Sequence, residues 1–182
     1  MASILLVAAT ESELCGHEGL TCGVGPVEAA TATAYQLARE RPRAVLHVGL
    51  AGGVGLEPGS LVVGTESVYA DLSAAIPVIS RIEPDATLLA ALRGAFPDAP
   101  ALPIVTSAAV SEPSDTVSQG PLVEAMEGFG VLRAAALAGV PAVEVRAISN
   151  ELGERDRSRW ELERGLEALA AALPRLLAAL RQ

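Results

Sequence analysis

The sequence contains short apolar runs in which hydrophobic and polar residues do not alternate. Two of them cover residues 3–9 and 44–48. A strand with one face in water shows alternation, so these runs indicate strands that are buried on both faces of a sheet. Stretches with helical spacing lie between the runs. The order of strands and helices therefore predicts an α/β fold with a largely parallel sheet.

Proline and glycine mark the ends of several predicted elements. A helix begins at Pro26 and is stopped by Pro42, and another ends at Gly139. The helices after the first are predicted at residues 86–96 and 128–138. The remaining strands are predicted at residues 20–24, 61–69, 102–110 and 143–148.

The last third of the chain predicts a long amphipathic helix. Leucines recur there at steps of three and four residues from Leu162 to Leu180, which places them on one face. Ser158 and Glu161 have the spacing of a capping box at the helix start. We expect a kink at Pro174, because proline inside a helix removes a backbone hydrogen bond.

The composition of the chain excludes several classes of enzyme and argues against several kinds of partner. All 13 basic residues are arginines, so the catalytic lysines of P-loop, kinase and Schiff-base enzymes are absent. A net charge of −9 argues against nucleic acid as a partner. With 182 residues, 51% of them hydrophobic, and no apolar stretch long enough to cross a bilayer, we expect one soluble domain over residues 1–182 and no membrane partner.

The two cysteines, Cys15 and Cys22, flank His17 and Glu18. These four residue types can bind a metal ion, but their spacing matches no common zinc pattern. We therefore expect no metal site and two reduced cysteines, as in a cytoplasmic protein.

Four segments at predicted strand ends carry acids, glycines or amides, namely residues 10–13, 49–53, 123–128 and 145–150. In α/β sheets, ligands bind beyond the carboxyl ends of strands. Each segment also has a structural explanation: a solvated loop, a tight glycine turn, an acid that complements a helix dipole, or capping side chains. The residues alone leave these alternatives open.

Taken together, the segments resemble the nucleoside phosphorylase and nucleosidase superfamily, and within it the futalosine hydrolases. The most specific pieces are AMEG at residues 125–128 and EVRAISNELGERDRSRW at residues 144–160. GVGPVEAA and GLAGG follow in the order and at the distances found in the family. The resemblance extends from Ile4 to the last helix.

The resemblance implies a single domain with a mixed, twisted central sheet flanked by helices. It implies that Glu13 activates the attacking water, that Glu127 binds the ribose hydroxyls and that Asn150 lies at the purine. The sequence leaves open whether Glu11 or Glu13 is closer to the water, and the register of the motif favours Glu13. Further substrate contacts fall on Ala51, Gly52, Met126, Ser149 and Trp160. The family needs no cofactor and builds homo-oligomers, dimers or larger, whose neighbours complete the active site.

Asn150 occupies a position where adenine-cleaving relatives carry aspartate. An amide donates its N–H to N7 or O6 of the purine, which suits a 6-oxopurine such as hypoxanthine. This favours hydrolysis of futalosine, which releases hypoxanthine and dehypoxanthine futalosine in menaquinone biosynthesis. The alternatives are a purine nucleoside phosphorylase and a methylthioadenosine/adenosylhomocysteine nucleosidase.

The arginines favour water over phosphate as the attacking group. Phosphorylases of the superfamily place arginines soon after the two glycine loops, whereas here the first ones are Arg39 and Arg81. Arg43 is the one candidate for a neighbouring subunit's site, and a single arginine neutralises a phosphate dianion poorly.

Two features of the sequence do not fit the family pattern cleanly, and a third suggests a different class of protein. Leu50 occupies a position that is often polar in relatives, and the purine-contacting segment falls near residues 107–111 without a fixed register. The glycines Gly23 and Gly25 also suggest a dinucleotide-binding module. That reading fails because the third glycine is replaced by Glu28.

Overall fold

The computed structural model describes residues 3–109 and 122–181. In these ranges one sheet is formed by β1 (Ile4–Ala8), β2 (Leu20–Thr21), β3 (Ala44–Gly53), β4 (Leu61–Tyr69), β5 (Arg81–Ile82), β6 (Ala101–Thr106), β7 (Val123–Ala125) and β8 (Ala142–Glu151). The helices are α1 (Pro26–Arg39), α2 (Ala86–Ala95), α3 (Gly128–Ala138) and α4 (Leu162–Ala179).

The sheet is mixed. Strand β1 pairs in parallel with β2 and β3, and β3 pairs in parallel with β8. Strand β8 then pairs antiparallel with β4, β4 pairs in parallel with β6, and β6 with β7. Strand β7 returns antiparallel to β3, so five strands close into a ring, while β5 adds to β4. The expected α/β fold with a mixed sheet is confirmed.

Helices cover both faces of this sheet. Leu6 and Leu46 pack towards α2 and α4, whereas their neighbours Val7 and Val45 pack towards α1 and α3. Successive residues of a strand point to opposite faces, so burial on both sides requires the unbroken apolar runs seen in the sequence. None of the described helices is long and apolar enough to cross a membrane.

Two strands extend further than the sequence predicted. Strand β3 continues through the glycine run to Gly53, and β8 continues through Asn150 to Glu151. The two strands stay paired over this stretch, with an irregularity between Ala51 and Gly52. Because this pairing continues, the residues that we predicted to form loops after the two strands belong to the sheet. The strand predicted at residues 20–24 is reduced to β2, and that predicted at 102–110 is β6, with residue 110 outside the described ranges.

The predicted capping box of the last helix is wrong. Helix α4 begins at Leu162 after Glu161, and Ser158 lies in a separate 3-10 turn, Arg157–Arg159. Both the backbone N–H and the hydroxyl of Ser158 donate to Asp156, 3.0 and 2.7 Å away. Ser158 therefore forms local hydrogen bonds with Asp156 and does not cap the helix. The helix runs without interruption through Pro174.

The leucine stripe of α4 is a main contributor to the core, which predicts the effect of shortening it. Leu173 is fully buried, and replacing it with alanine should lower the free energy of unfolding by about 2–5 kcal/mol because a cavity remains. Leu137 on α3 is 72% exposed, and L137A should change stability by less than about 0.5 kcal/mol. Denaturant unfolding of both variants checks this; equal midpoints for L173A and wild type would contradict it.

Candidate active site

A cavity of about 780 Å³ lies where β1, β3 and β8 end and where α3 begins. All eight residues predicted to act on substrate line it, namely Glu13, Ala51, Gly52, Met126, Glu127, Ser149, Asn150 and Trp160. They come from five separate stretches of the chain, which the fold brings to one place.

Glu13 is held in a 3-10 turn, Ser12–Leu14, directly after β1. Its Oε2 accepts hydrogen bonds from the backbone N–H and the hydroxyl of Thr10, at 2.9 and 2.8 Å. Its Oε1 accepts from the backbone N–H of Leu50 at 2.8 Å. Three donors fix the carboxylate at the cavity wall. The neighbouring Glu11 is exposed and does not line the cavity.

Glu127 precedes the first turn of α3, yet its side chain accepts no hydrogen bond from that helix. Instead, Oε1 accepts from the backbone N–H of Gly25 at 3.1 Å, and Oε2 forms an ion pair with Nη1 of Arg146 at 3.3 Å. Glu127 as a whole is 4% exposed. Capping of α3 therefore does not explain this acid.

Arg146 is fully buried beneath the cavity and makes most of the charged contacts of the site. Besides Glu127, its guanidinium donates to Oε1 of Glu144 at 2.8 Å and to the carbonyl of Leu50 at 3.3 Å. Side chains of both Arg146 and Glu13 occupy the space that a Cβ on Gly49 would take. Burial lowers the pKa of Arg146, but Glu144, Glu127 and Glu13 outweigh burial and raise it above the ordinary value.

His47 lies behind Arg146 and is also fully buried. Its Nδ1 is 3.0 Å from the carbonyl of Val7, and its Nε2 is 2.6 Å from Nη2 of Arg146. A carbonyl only accepts and a guanidinium only donates, so Nδ1 carries the proton and Nε2 accepts. Burial and the charge of Arg146 hold the pKa of His47 well below its ordinary value, so the ring is neutral.

Glu144 is the third buried ionisable residue beneath the cavity, and it lies between Arg146 and helix α3. Burial raises the pKa of this carboxyl above its ordinary value, although the charge of Arg146 acts in the opposite direction. The carboxylate packs directly on Gly128, the first residue of α3, where a Cβ would collide with it. Only glycine fits at that position of the AMEG segment.

Asn150 lies at the opposite side of the cavity floor. Its Oδ1 accepts from the hydroxyl of Ser149 at 2.8 Å, and its Nδ2 donates to the carbonyl of Glu151 at 3.0 Å. An amide nitrogen carries two hydrogens, so a second N–H is available to a ligand. The serine thus fixes which end of the amide donates.

An apolar and aromatic wall faces these polar groups. Met126 lines the cavity next to Glu127. The indole N–H of Trp160 donates to the carbonyl of Glu154 at 2.9 Å, and the guanidinium of Arg157 lies 5.4 Å from the ring centre. Leu50, which departs from the family pattern, lines the cavity and contributes its backbone N–H and carbonyl to the site.

The segment near residues 107–111 is described only to Ala109. Ser107 is buried, and its hydroxyl donates to the carbonyl of Ala109, which lines the cavity. The rest of that predicted purine-contacting segment, residues 110 and 111, lies outside the described residues.

The two cysteines do not form a joint site. Cys15 packs with the core beneath α2 and α4, and Cys22 packs with the core beneath α1 and α3. Both are free thiols, and burial, followed by the charge of Glu127, raises the pKa of Cys22 to about 12. Within residues 3–109 and 122–181, no group of three His, Cys, Asp or Glu side chains could hold a metal ion.

Comparison with known proteins decides the family. Residues 19–182 match the model of the phosphorylase superfamily. The chain is 36% identical to a futalosine hydrolase of Streptomyces coelicolor, over 88% of this chain and 78% of that protein. It is 35% identical to a futalosine hydrolase of Thermus thermophilus, over 90% and 82%. The chain belongs to the futalosine hydrolases of this superfamily. The resemblance noted in the sequence is thereby confirmed.

Solved structures show the same fold. A methylthioadenosine/adenosylhomocysteine nucleosidase of Colwellia psychrerythraea, in complex with adenine, superposes with a TM-score of 0.83 at 21% identity and covers 98% of this chain and 96% of that one. The corresponding enzyme of Helicobacter pylori gives a TM-score of 0.84 at 19% identity, with 98% of each chain covered.

The buried charged and polar residues beneath the cavity were not predicted from the sequence. We identified the acids that follow strands but did not select Arg146, His47 or Glu144, because each lies inside a predicted strand. A signal was present: three ionisable residues interrupt otherwise apolar strands, and Glu144 and Arg146 are two residues apart, hence on one face. Charged residues are rarely buried without partners, so such an interruption indicates a paired group.

The neutral state of His47 predicts how stability depends on pH. As the pH falls below 6.5, the ordinary value, the unfolded chain takes up a proton at this residue that the folded protein does not. The free energy of unfolding should therefore fall by up to about 1.4 kcal/mol per pH unit from this residue alone. In His47→Gln this contribution is absent, so the stability difference between wild type and variant should shrink between about pH 7.5 and 5.5.

Chemical denaturation at several pH values measures this difference. His17→Gln, at the half-buried second histidine, is the matched control and should keep the wild-type dependence on pH. A stability difference between wild type and H47Q that stays constant over the range would show that His47 titrates alike in both states.

Proposed function

We propose that this protein hydrolyses the N-glycosidic bond of futalosine, releasing hypoxanthine and dehypoxanthine futalosine, a reaction of menaquinone biosynthesis. The observation that carries the proposal is the meeting of two carboxylates, Glu13 and Glu127, and one amide, Asn150, at a single cavity. Membership of the futalosine hydrolases supports the substrate.

Cleavage of the bond between ribose C1′ and purine N9 leaves positive charge on the sugar, because the purine departs with the bonding electrons. In the proposal, Glu127 accepts a hydrogen bond from a ribose hydroxyl, and this bond strengthens as the positive charge develops. Its second contact is the ion pair with Arg146. Met126, next in the chain, packs against the sugar and base.

Glu13 takes a proton from the attacking water in this proposal, while the water oxygen bonds to C1′. The three hydrogen bonds from Thr10 and Leu50 fix the direction of the carboxylate. The exposure of Glu11 outside the cavity supports Glu13 as the base, the alternative that the sequence left open.

Asn150 donates a hydrogen bond to N7 or O6 of the departing purine, and it stabilises the negative charge there without transferring a proton. The purine anion then takes a proton from solvent, and Glu13 returns to solvent the proton that it took from the attacking water. Ala51, Gly52 and Ser149 form the floor beside it, and Trp160 closes the wall. The amide, in place of a carboxylic acid, supports a 6-oxopurine over adenine and so favours futalosine over the alternative substrates.

The arginines that follow the two glycine loops in the sequence, Arg39, Arg43 and Arg81, do not line the cavity, and this supports water over phosphate. The arginines that do line it are Arg155 and Arg157. Arg39 contacts Tyr35, and Arg81 forms an ion pair with Glu66. Arg43 donates to carbonyls at the end of α4. Beneath the cavity, Arg146 is surrounded by Glu144 and by the two acids of the cavity wall, Glu13 and Glu127. Acids outnumber the cation here, which makes this part of the site unfavourable for a phosphate dianion.

Two further properties are part of the proposal. Exposed apolar residues on and near α1, Val24, Val27 and Tyr35, support a homo-oligomer, and Val24 also lines the cavity. The free thiols Cys15 and Cys22 support a cytoplasmic location.

The choice between water and phosphate gives a direct prediction. Purified protein should release hypoxanthine from futalosine in phosphate-free buffer, and added phosphate should not raise the rate. Chromatography of the products identifies the base and the sugar product. Release that depends on phosphate would instead establish the phosphorylase alternative, and release from methylthioadenosine or inosine in preference to futalosine would establish the other substrates.

Removal of the ribose-binding carboxylate should have a large effect. Glu127→Ala should lower kcat roughly 100- to 10,000-fold, because the interaction strengthens in the transition state. Glu83→Ala removes an exposed acid outside the cavity and is the matched control. Circular dichroism confirms that both variants fold, and a wild-type rate in folded E127A would remove Glu127 from the mechanism.

A further inference from the structure

The cavity contains positive charge that the proposed mechanism does not use. Arg155 and Arg157 line it, and both belong to residues 152–161, the segment between β8 and α4. The groups assigned to the sugar, the water and the purine are two acids and an amide. The cavity volume of about 780 Å³ is in the upper part of the range for small-molecule sites, roughly 300–1,000 Å³. It therefore has room for a further group of the ligand.

Arg157 differs from its neighbour Arg159 in its partners. Arg159 forms an ion pair with Glu154 at 2.7 Å and does not line the cavity. The acid next to Arg157 in the chain, Asp156, accepts hydrogen bonds from the backbone and the hydroxyl of Ser158. Among the residues that the structure describes, Arg157 forms no ion pair with a carboxylate. Its charge is therefore available to a ligand.

Trp160 supports the guanidinium of Arg157 at the cavity wall. The indole N–H donates to the carbonyl of Glu154 at 2.9 Å, and the guanidinium lies over the ring, 5.4 Å from its centre. A guanidinium contacts an aromatic ring through its face, whereas its N–H donors lie in its plane. The donors therefore stay available, and a carboxylate can accept two of them at once.

Apolar side chains line the cavity around this segment. Leu152 follows β8, and Leu162 and Leu166 share one face at the start of α4 because they are four residues apart. Arg157 is exposed, so it lies at the opening of the cavity. Apolar and aromatic side chains with a cation at the opening fit an aromatic ring that carries a carboxylate. The ring packs against the leucines and the indole, and the carboxylate meets the guanidinium.

We infer that Arg157 is a specificity-determining residue that binds a carboxylate at the end of the substrate's C5′ chain. The inference rests on the proposed function, because futalosine differs from inosine by a C5′ chain that ends in a benzoate. This group supplies both the aromatic ring and the anion. Arg157 thus distinguishes futalosine from nucleosides whose C5′ group is uncharged, such as inosine and methylthioadenosine.

Two substrates that differ only in this charge test the inference. The methyl ester of futalosine keeps the chain and the ring but has no negative charge. Wild-type protein should hydrolyse futalosine with a kcat/KM about tenfold higher than that of the ester. This is near the lower end for a hydrogen bond to a charged group, because water partly screens the exposed arginine. In Arg157→Gln, kcat/KM for the two substrates should differ by less than about threefold, since the cation is gone.

Two further variants separate this contact from the general charge of the segment. Arg157→Glu reverses the charge, so the ester should become the better substrate, because like charges repel. Arg159→Gln removes a cation two residues away that does not line the cavity, and this matched control should keep the wild-type preference for the acid. Chromatography of released hypoxanthine measures the rates, and circular dichroism shows whether each variant is folded.

The outcomes distinguish this inference from the proposed function. Wild-type protein that hydrolyses futalosine and its ester equally well, or an R157Q variant that keeps the preference for the acid, would overturn the role of Arg157 alone. An equal loss of preference in R157Q and R159Q would also overturn it, because the effect would then belong to the charge of the whole segment. Wild-type protein that releases no hypoxanthine from futalosine would overturn the proposed function and this inference with it.

Discussion

The structure of the site depends on one buried cation. Arg146 has no access to solvent, and three carboxylates, a neutral histidine and a backbone carbonyl surround it. A buried charge of this kind is tolerated only when its partners are in place, and removing one of them leaves the others uncompensated. The acids Glu13 and Glu127, at the cavity wall, are therefore part of the same electrostatic unit as Glu144 and His47 beneath it. In the proposed mechanism, a change at one of these acids would therefore affect both stability and activity.

Much of the fold follows from local signals in the sequence. The unbroken apolar runs indicated a sheet covered on both faces, and Pro26 and Gly139 marked helix ends correctly. The ring closure through β7 and the buried contacts of Arg146 were not predictable in this way. His47 and Arg146 are 99 residues apart, so no local pattern relates them. The predicted capping box was wrong because of a local contact and not a distant one: Asp156, two residues from Ser158, binds the same serine.

The candidate site was predictable where function requires polar groups at strand ends. Glu13, Glu127 and Asn150 stand out because they follow apolar segments, and family resemblance supplied their proposed roles. The supporting residues are inside strands, where the sequence shows only an interruption of hydrophobicity. The acids of the cavity and the supporting residues meet around Arg146, where negative charge is in excess. In the proposed reaction this charge favours a sugar that becomes positive and disfavours a phosphate anion.

The closed ring of strands also affects how the protein behaves at high concentration. Pairing ends at β2 on one margin and β5 on the other, each only two residues long in the described part of the chain. Unpaired sheet margins are templates for intermolecular β-pairing, and short margins carrying charge are poor templates. Arg81, at the β5 margin, is tied to Glu66 of the adjacent strand. The architecture that gathers the polar groups of the cavity thus also leaves only short margins for intermolecular β-pairing.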